Sequence, residues 1–208
     1  MLFSDVDVET AALQLKPVKH LWFAPDEIIY RQGDDPGALY SVRSGILKLS
    51  LLSEGGALRI VRLMGPGSVI GLEALLGENY QNTAATLTDT DLCALPPAMI
   101  ETLAREHPVL CKGLMGHWQQ QVAQADEHLL KLSTGTIKER VLALLLELDD
   151  LCRQSDTEYQ LLSNPDIAAL VAARVESVSR IMAEFKREGI LTRPGKGRWA
   201  LARPEQAR

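Results

Sequence analysis

Cysteine, aromatic side chains and long apolar runs are all scarce in this chain of 208 residues. The three cysteines are widely spaced and form no CxxC pair, so they suggest neither a disulfide framework nor a zinc site. No apolar run reaches the length of a membrane span, and the acidic N-terminal stretch lacks the basic and apolar regions of a signal peptide. These absences predict a cytoplasmic protein without a membrane segment.

Short motifs of catalysis are absent as well. The chain contains no GxxxxGK(S/T), no GxSxG and no HExxH. A cupin-type metal site needs clustered histidine and glutamate on strands, whereas His20 is the only histidine in the predicted strands. The sequence therefore predicts that the chain is not an enzyme.

Residues 163–188 show the strongest pattern and predict two short helices joined by a tight turn. On the second helix, Glu176, Ser179 and Arg180 have the i, i+3, i+4 spacing that places them on one face. Glutamate accepts from cytosine N4 and arginine donates twice to guanine, so this face can read base edges in a DNA major groove. The alternative is an ordinary surface ion pair between Glu176 and Arg180. An apolar stripe is expected to pack on the first helix: Val175, Val178, Ile181, Met182 and Phe185.

A small hairpin is predicted after these helices. Residues 190–192 and 199–201 have the pattern of short strands, and the segment between them contains the Gly and Pro of a turn. A helix-turn-helix followed by a hairpin is a winged helix. Its wing would present Arg193, Lys196 and Arg198 to DNA phosphates.

Charge is distributed unevenly along the chain. Residues 174–208 contain nine Lys or Arg against four Glu, a net charge of +5, whereas the whole chain carries −5 and the remainder therefore −10. A basic end on an acidic body indicates a localised DNA-binding face. The predicted DNA-binding residues are Arg174, Glu176, Ser177, Ser179, Arg180, Lys186, Lys196 and Arg198.

Periodicity divides the chain into three regions. Residues 1–107 predict a short opening helix and then short strands between Gly-rich turns, as in a β sandwich or barrel. Residues 108–134 predict one long helix whose apolar seam suggests pairing with a second copy across a two-fold axis; packing of a single helix on the β region is the alternative. Residues 135–208 follow a hinge and hold the winged helix. The predicted dimer interface contains Leu110, Leu114, Trp118, Val122, Ala125 and Leu129.

Arranged in this order, the three regions resemble the Crp/Fnr family of bacterial transcription regulators over nearly the whole chain. The resemblance implies an α+β fold: an N-terminal β-roll like a cyclic-nucleotide-binding domain, a dimerisation helix, and a C-terminal winged helix-turn-helix. In the sensory domain the matching motifs are Gly33-Asp34, Leu39-Tyr40, Ser44-Gly45, Gly65-Pro66-Gly67 and Val69-Ile70-Gly71. In the DNA-binding domain the matching motif is Val175-Glu176-Ser177-Val178-Ser179-Arg180.

The recognition motif resembles the Fnr branch of the family, which implies a palindrome of the TTGAT…ATCAA type. By this resemblance Arg180 would bond a guanine, Glu176 a cytosine on the other strand, and Ser179 a thymine. Two positions depart from the family pattern: the usual turn glycine is Ala172, and the usual Ser or Thr N-cap is Arg174. The resemblance also implies a homodimer that recruits RNA polymerase, with the loops 53–57 and 155–158 as candidate contacts.

The sensed signal is not evident from the resemblance. Leu72 stands where cyclic-AMP receptors have a Glu for the ribose, and Asn82-Thr83 stands where they have an Arg-Ser pair for the phosphate. A buried phosphate without a cationic partner is costly, so cyclic AMP is not expected. The predicted effector pocket contains Gly71, Leu72, Glu73, Asn82, Thr83, Gln121 and Val122.

Redox and gas signals are separate alternatives. Cys93 resembles the single cluster ligand in the sensory domain of Fnr, but residues 1–92 contain no cysteine, so an iron–sulfur cluster is not expected. Haem held by His107 or His117 stays open, as do thiol oxidation at Cys111 or Cys152, another small ligand, or activity without a ligand. No particular cofactor or metal is predicted. The alternative of a different class is a β-roll scaffold that binds no DNA.

Overall fold

The computed structural model describes residues 18–52, 56, 58–106, 108–154, 162–195 and 198–202, of which 108–111, 114, 117, 154, 194, 195 and 198–200 are described by their backbone alone. The predicted opening helix lies outside the described residues. Most residues of the two loops that are candidate contacts for RNA polymerase, 53–57 and 155–158, also lie outside the described residues.

Two four-stranded antiparallel sheets form the N-terminal part of the molecule. The strands are β1 (Lys19–Phe23), β2 (Ile28–Tyr30), β3 (Leu39–Ser44), β4 (Leu47–Leu52), β5 (Leu58–Met64), β6 (Val69–Ile70), β7 (Thr83–Thr86) and β8 (Thr90–Leu95). The strand orders of the two sheets are β1-β8-β3-β6 and β2-β7-β4-β5, so strands far apart in sequence lie side by side. This arrangement confirms the predicted β-roll.

The hairpin of β4 and β5 shows why these segments pair. Leu47 and Leu49 are buried on one face of β4, and Leu47 lies opposite Met64 of β5. Just before β4, Gly45 has φ +87°, and a Cβ at this position would overlap the carbonyl oxygen of Asp89. Only glycine fits there, because the position combines a left-handed backbone with a close approach of the chain.

Five helices and a second, smaller hairpin complete the fold. The helices are α1 (Pro97–Glu106), α2 (Pro108–Ser133), α3 (Ile137–Gln154), α4 (Asn164–Val171) and α5 (Val175–Arg187). The strands β9 (Leu191–Gly195) and β10 (Arg198–Leu201) pair antiparallel after α5, which confirms the predicted winged helix. None of the helices within the described residues is long and apolar enough to cross a bilayer.

The junction between α2 and α3 is built from a turn and a reciprocal cap. Gly135 has φ +79°, which turns the chain after the end of α2. The backbone N–H of Thr136 donates to Oε2 of Glu139 at 2.7 Å, and the N–H of Glu139 donates to Oγ1 of Thr136 at 3.3 Å. The Thr136 backbone N–H lowers the pKa of Glu139. These bonds satisfy donors that the first turn of α3 would otherwise leave unpaired.

Two boundaries differ by a few residues from what the sequence pattern indicates. The pattern indicates a strand over 83–88, whereas β7 ends at 86, and it indicates a helix over 137–151, whereas α3 continues to 154. A 3₁₀ helix at Leu72–Leu76 was not predicted. It lies between two glycines, Gly71 and Gly77, with left-handed backbones. Five residues are too few to show a clear helical periodicity.

One hydrophobic core joins the β-roll to the C-terminal region. Ile46, Ile60 and Leu63 of the β-roll belong to the same buried cluster as residues of α3, α4 and α5. Beside this cluster, Nζ of Lys48 on β4 donates to Oδ1 of Asp166 on α4 at 2.7 Å. The two halves of the chain therefore pack directly on each other, which the sequence did not predict.

Candidate DNA interface and effector region

Helix α4, the first helix of the predicted DNA-binding pair, begins with a well-formed cap. Oγ of Ser163 accepts from the backbone N–H of Asp166 at 3.2 Å and donates to the Asp166 carboxylate at 2.7 Å. Pro165 lies in the first turn, where its missing N–H costs no hydrogen bond. At the other end of α4, a guanidinium nitrogen of Arg140 donates to the carbonyl oxygen of Val171 at 2.9 Å. Both ends of this short helix are therefore held by side chains.

Ala172 forms the turn between the two helices in a left-handed conformation. Its φ is +52° and its ψ +51°. The resemblance aligned Ala172 with the turn glycine that is usual in the family, and the left-handed backbone explains why glycine is favoured at this position. The next residue, Ala173, donates its N–H to the carbonyl of Ala168 at 3.1 Å and closes the end of α4.

Arg174 is the N-cap of α5, as predicted, and its side chain makes no capping hydrogen bond. The guanidinium has no acceptor to offer the first-turn N–H groups, and the N–H of Ser177 donates instead to the carbonyl of Arg174 at 3.1 Å. Arg174 is itself exposed. An exposed cation at the N-terminus of a helix is a suitable contact for a DNA phosphate.

The predicted base-reading residues share the outer face of α5. Glu176, Ser179 and Arg180 are all exposed, while Ser177 is half-buried. The alternative was an ion pair between Glu176 and Arg180. Among the residues that the structure describes, neither side chain forms an ion pair or a hydrogen bond. The acceptor and the cationic donor therefore both face solvent.

The opposite face of α5 attaches the helix to the core. Val178, Met182 and Phe185 are buried, and Ile181 is half-buried against the same cluster. Val175 was predicted to belong to this stripe, but 41% of it is exposed. That part of the prediction is wrong, because the core cluster that buries Val178, Met182 and Phe185 does not cover the first residue of the helix.

Two acidic residues, one in the last turns of α5 and one at its C-cap, pair with the same lysine. Nζ of Lys138 on α3 lies 2.5 Å from Glu184 and 3.3 Å from Glu188. The ammonium of Lys138 lowers the pKa of Glu184. The same ammonium lies 5.6 Å from the centre of the Phe185 ring. Because these carboxylates are paired, they repel an approaching phosphate backbone less than free carboxylates would.

The wing and the end of α5 carry the remaining predicted cations. Lys186 is exposed on the last turns of α5, and Arg193 is exposed on β9. Arg198 lies opposite Gly195 in the hairpin, and its side chain is outside the described residues, as is all of Lys196. The structure thus places Arg174, Glu176, Ser179, Arg180 and Lys186 on one exposed helix.

Three stacked tyrosines occupy the interior of the β-roll. The rings of Tyr30 and Tyr80 stack with centres 3.9 Å apart, and Tyr40 stacks on Tyr30 at 5.9 Å. Tyr80 donates to the carbonyl of Ala38 at 2.6 Å, and Tyr30 donates to Oδ1 of Asn82 at 3.3 Å. Burial raises the pKa of Tyr40 to about 12 and that of Tyr30 further above its usual range. Tyr30 and Tyr40 therefore stay uncharged near neutral pH.

Sequence reasoning missed this stack. Tyrosine is common in strands, and the three residues are separated by turns that hide their proximity. One usable signal was the glycine after β6. A Cβ on Gly71 would lie 2.9 Å from Cε1 of Tyr80, so the tyrosine ring requires a glycine beside it.

The residues predicted for the effector pocket do not line one common cavity. Gly71 and Asn82 contact the tyrosine stack, and the charge of Glu73 acts on Tyr30. Of the remaining four, Thr83 accepts the N–H of Gln32. Leu72 packs on the core below the 3₁₀ helix, Gln121 bridges Arg62 and the carbonyl of Val69, and Val122 is 42% exposed on α2.

The long helix α2 presents an exposed apolar face. Met115 is 72% exposed, Trp118 55% and Leu129 66%, and Val122 lies on the same side of the helix. Ala125, between them, is half-buried. The side chains of Leu110 and Leu114 lie outside the described residues. A contiguous apolar face of this length on a single chain indicates a contact surface for another protein.

Histidines and cysteines form no metal site in the described part of the chain. His20 is exposed beside Arg43. A buried structural thiol is the simplest expectation for each cysteine, because cysteine is among the most buried residue types. Cys152 is buried, whereas Cys93 on β8 is only partly buried. All of His107 and the side chains of His117 and Cys111 lie outside the described residues.

Comparisons with known proteins match both halves of the chain. The cyclic nucleotide-binding domain family matches residues 20–107, and the Crp-like helix-turn-helix domain family matches residues 139–206. Among curated proteins, the transcriptional activator Anr of Pseudomonas protegens is 30% identical over 82% of this chain and 71% of its own length. Its counterpart in Pseudomonas aeruginosa is 29% identical with the same coverage.

Solved structures agree with these matches. The FixK2 protein from Bradyrhizobium japonicum superposes with a TM-score of 0.75 at 25% identity, covering 91% of this chain and 94% of that protein. A transcriptional regulator of the CRP/FNR family from Thermus thermophilus gives a TM-score of 0.71 at 28% identity, covering 90% and 95%.

The fold and the exposed recognition helix define a DNA-binding transcription regulator. The chain belongs to the Crp/Fnr family. The similar proteins are transcriptional regulators rather than enzymes, which confirms the prediction of a role without catalysis.

Proposed function

We propose that this regulator binds, as a homodimer, a palindrome of the TTGAT…ATCAA type and recruits RNA polymerase there. The observation that carries the proposal is the exposed face of α5, where Glu176, Ser179 and Arg180 have no protein partner among the described residues. Arg180 would donate twice to guanine, Glu176 would accept from cytosine, and Ser179 would contact thymine.

Dimerisation supports this geometry. Pairing of the apolar faces of two α2 helices would place the two recognition helices on a two-fold axis. Two half-sites read from one side of the duplex lie about 34 Å apart, the length of one helical turn. The exposed Trp118 and Leu129 are the largest apolar side chains that such pairing would bury.

The proposal assigns no role to cyclic AMP. Tyr30 and Tyr80 fill the interior of the β-roll, and Asn82 hydrogen-bonds to Tyr30 where a phosphate-binding arginine would be needed. An iron–sulfur cluster is not part of the proposal, because residues 1–92 contain no cysteine. Haem held by His107 or His117 stays the alternative for the sensed signal, and the side chains of both residues lie outside the described part of the chain. The protein is proposed to act in the cytoplasm, where its DNA target is accessible.

The direct test is fluorescence anisotropy of the full chain on a TTGAT…ATCAA duplex and on a scrambled duplex at the same salt concentration. We expect selective binding by the unmodified protein. We expect Arg180→Ala to weaken binding to the palindrome roughly 10–100-fold, because a bidentate contact to guanine is worth about 1–3 kcal/mol. The matched control is Arg105→Ala on α1, which removes the same charge far from α5. Equal binding of both duplexes by the unmodified protein would contradict the proposal.

A further inference from the structure

A cavity of about 670 Å³ lies where the β-roll, α2 and α3 meet. Its walls come from the end of β5 and the following Gly65–Gly67 turn, from residues 120–131 of α2, and from α3. The volume is within the range of small-molecule sites, about 300–1,000 Å³. Neither Tyr30 nor Tyr80 lines it, so it is distinct from the filled interior of the β-roll.

His128 lines this cavity with one ring nitrogen unpaired. Its Nδ1 lies 3.3 Å from both carboxylate oxygens of Glu147 on α3, so Nδ1 is the donor in that pair. Its Nε2 is buried and has no hydrogen-bond partner among the residues described. Only 11% of the side chain is exposed. A buried polar atom without a partner is costly, and a ligand in the cavity would recover that cost.

Arg62 contributes a cation to the wall formed by β5. One guanidinium nitrogen donates to Oε1 of Gln121 at 3.4 Å. In the described part of the chain no carboxylate lies within 4.0 Å of this guanidinium. A guanidinium that keeps free donors can hold a carboxylate in two-pronged geometry.

The other charged groups of the cavity are mostly acidic. Glu147 and Asp150 lie on the α3 wall, and Glu127 on α2 is paired with Lys131 at 2.6 Å. The lining thus holds two cations, Arg62 and Lys131, against three carboxylates. A purely anionic ligand would be repelled by the α3 wall, whereas a purely cationic one would leave Arg62 unpaired.

We propose that the cavity binds a small zwitterion of the amino-acid type. Its carboxylate would bind Arg62, and its ammonium group would lie near Glu147 and Asp150 and donate to Nε2 of His128. Such a ligand would contact the β-roll, the long helix and the DNA-binding domain together. It would therefore stabilise the packed arrangement of the two halves of the chain.

Regulation by this ligand rests on the proposed DNA-binding function, whereas binding of the ligand to the cavity does not. A test without DNA separates the two. Saturation-transfer NMR on the full chain, with the twenty free amino acids and cyclic AMP as probes, measures occupancy directly. We expect at least one amino acid to bind and cyclic AMP not to bind. We expect Arg62→Gln to weaken that binding about tenfold or more, because a charge-assisted hydrogen-bonded pair is lost.

The matched control is Arg59→Gln, an exposed arginine on the same strand that does not line the cavity. It should bind like the unmodified protein. If Arg62→Gln fails to fold, Glu147→Gln, which removes a carboxylate but keeps the shape, decides the question through the same loss of binding. The proposal would be overturned if none of the twenty amino acids bound, or if only cyclic AMP bound. It would also be overturned if a folded Arg62→Gln or Glu147→Gln variant bound the amino acid as tightly as the unmodified protein. Anisotropy on the palindrome with and without the bound amino acid then tests regulation separately.

Discussion

At the scale of single residues, Ala172 holds the turn of the helix-turn-helix in a conformation that an L-residue with a Cβ adopts at a cost. Its φ of +52° lies in the left-handed region, which costs a non-glycine residue about 1–2 kcal/mol. The side chain is exposed, so its methyl group contributes little packing. The turn is nevertheless formed, because α4 and α5 are held by the core on both sides.

Replacing Ala172 by glycine should stabilise the protein. We expect Ala172→Gly to raise the free energy of unfolding by roughly 0.5–1 kcal/mol, since relief of the left-handed strain exceeds the added entropy of the unfolded chain. Thermal unfolding followed by circular dichroism measures the change. The control is Ala183→Gly on the exposed face of α5, which should destabilise by about 1 kcal/mol. A lower melting temperature for Ala172→Gly would contradict this account of the turn.

Cys93 should react slowly with alkylating reagents at neutral pH. Burial raises the pKa of its thiol, so a smaller fraction is the reactive thiolate at any pH below that raised value. Alkylation by iodoacetamide should keep accelerating at pH values where an ordinary cysteine has already reached its plateau. Mass spectrometry of the Cys93 peptide, with the urea-unfolded protein as reference, measures both rates. A folded-state rate equal to the unfolded one would be inconsistent with the raised pKa.

At the scale of secondary-structure elements, the sequence predicted α5 well because its pattern has a clear period. The buried positions Val178, Met182 and Phe185 recur every three or four residues, and the exposed polar positions recur between them. The tyrosine stack could not be predicted in the same way. Tyr30, Tyr40 and Tyr80 come from segments whose proximity depends on sheet order, and sheet order is a tertiary property that no local pattern encodes.

The exposed face of α2 leads to a prediction about assembly. Trp118→Glu should convert the proposed dimer to a monomer, because it places a charge in the centre of the apolar contact. Sedimentation equilibrium of the full chain measures the mass. The control is Gln119→Glu, which adds the same charge at the neighbouring exposed position and should leave the mass unchanged. A monomeric unmodified protein, or a Trp118→Glu variant that stays dimeric, would show that this face is not the dimer contact.

At the scale of the whole molecule, the sequence predicted the order of the domains but not their contact. Ile46, Ile60 and Leu63 lie in segments whose sequence pattern indicates only that they belong to the β-rich region. In the structure they join the core of the DNA-binding half. Apolar alternation shows which face of a strand is buried, but not which element buries it. The cavity beside His128 depends on the same contact and was likewise not predictable.

Lys48 should be important for this packing. Its ion pair with Asp166 is mostly shielded, with the two side chains 15% and 20% exposed. We expect Lys48→Met to destabilise the protein by about 1–3 kcal/mol, since it leaves a partly buried carboxylate without its charged partner. Urea unfolding measures this. Lys131→Met, which removes an exposed ion pair within one helix, should change stability by less than about 1 kcal/mol. Equal effects of the two substitutions would argue against the Lys48 contact as a link between the halves.

The central claim is that Arg180 reads a guanine in each half-site, and a combined change of protein and DNA tests it most directly. Anisotropy is measured with the unmodified protein and with Arg180→Ala, each on TTGAT…ATCAA and on a duplex whose half-site guanine is replaced by adenine. We predict that the unmodified protein loses roughly tenfold or more in affinity on the altered duplex, while Arg180→Ala binds the two duplexes about equally. If the variant still discriminates between them as strongly as the unmodified protein does, Arg180 does not read that base and the account is wrong.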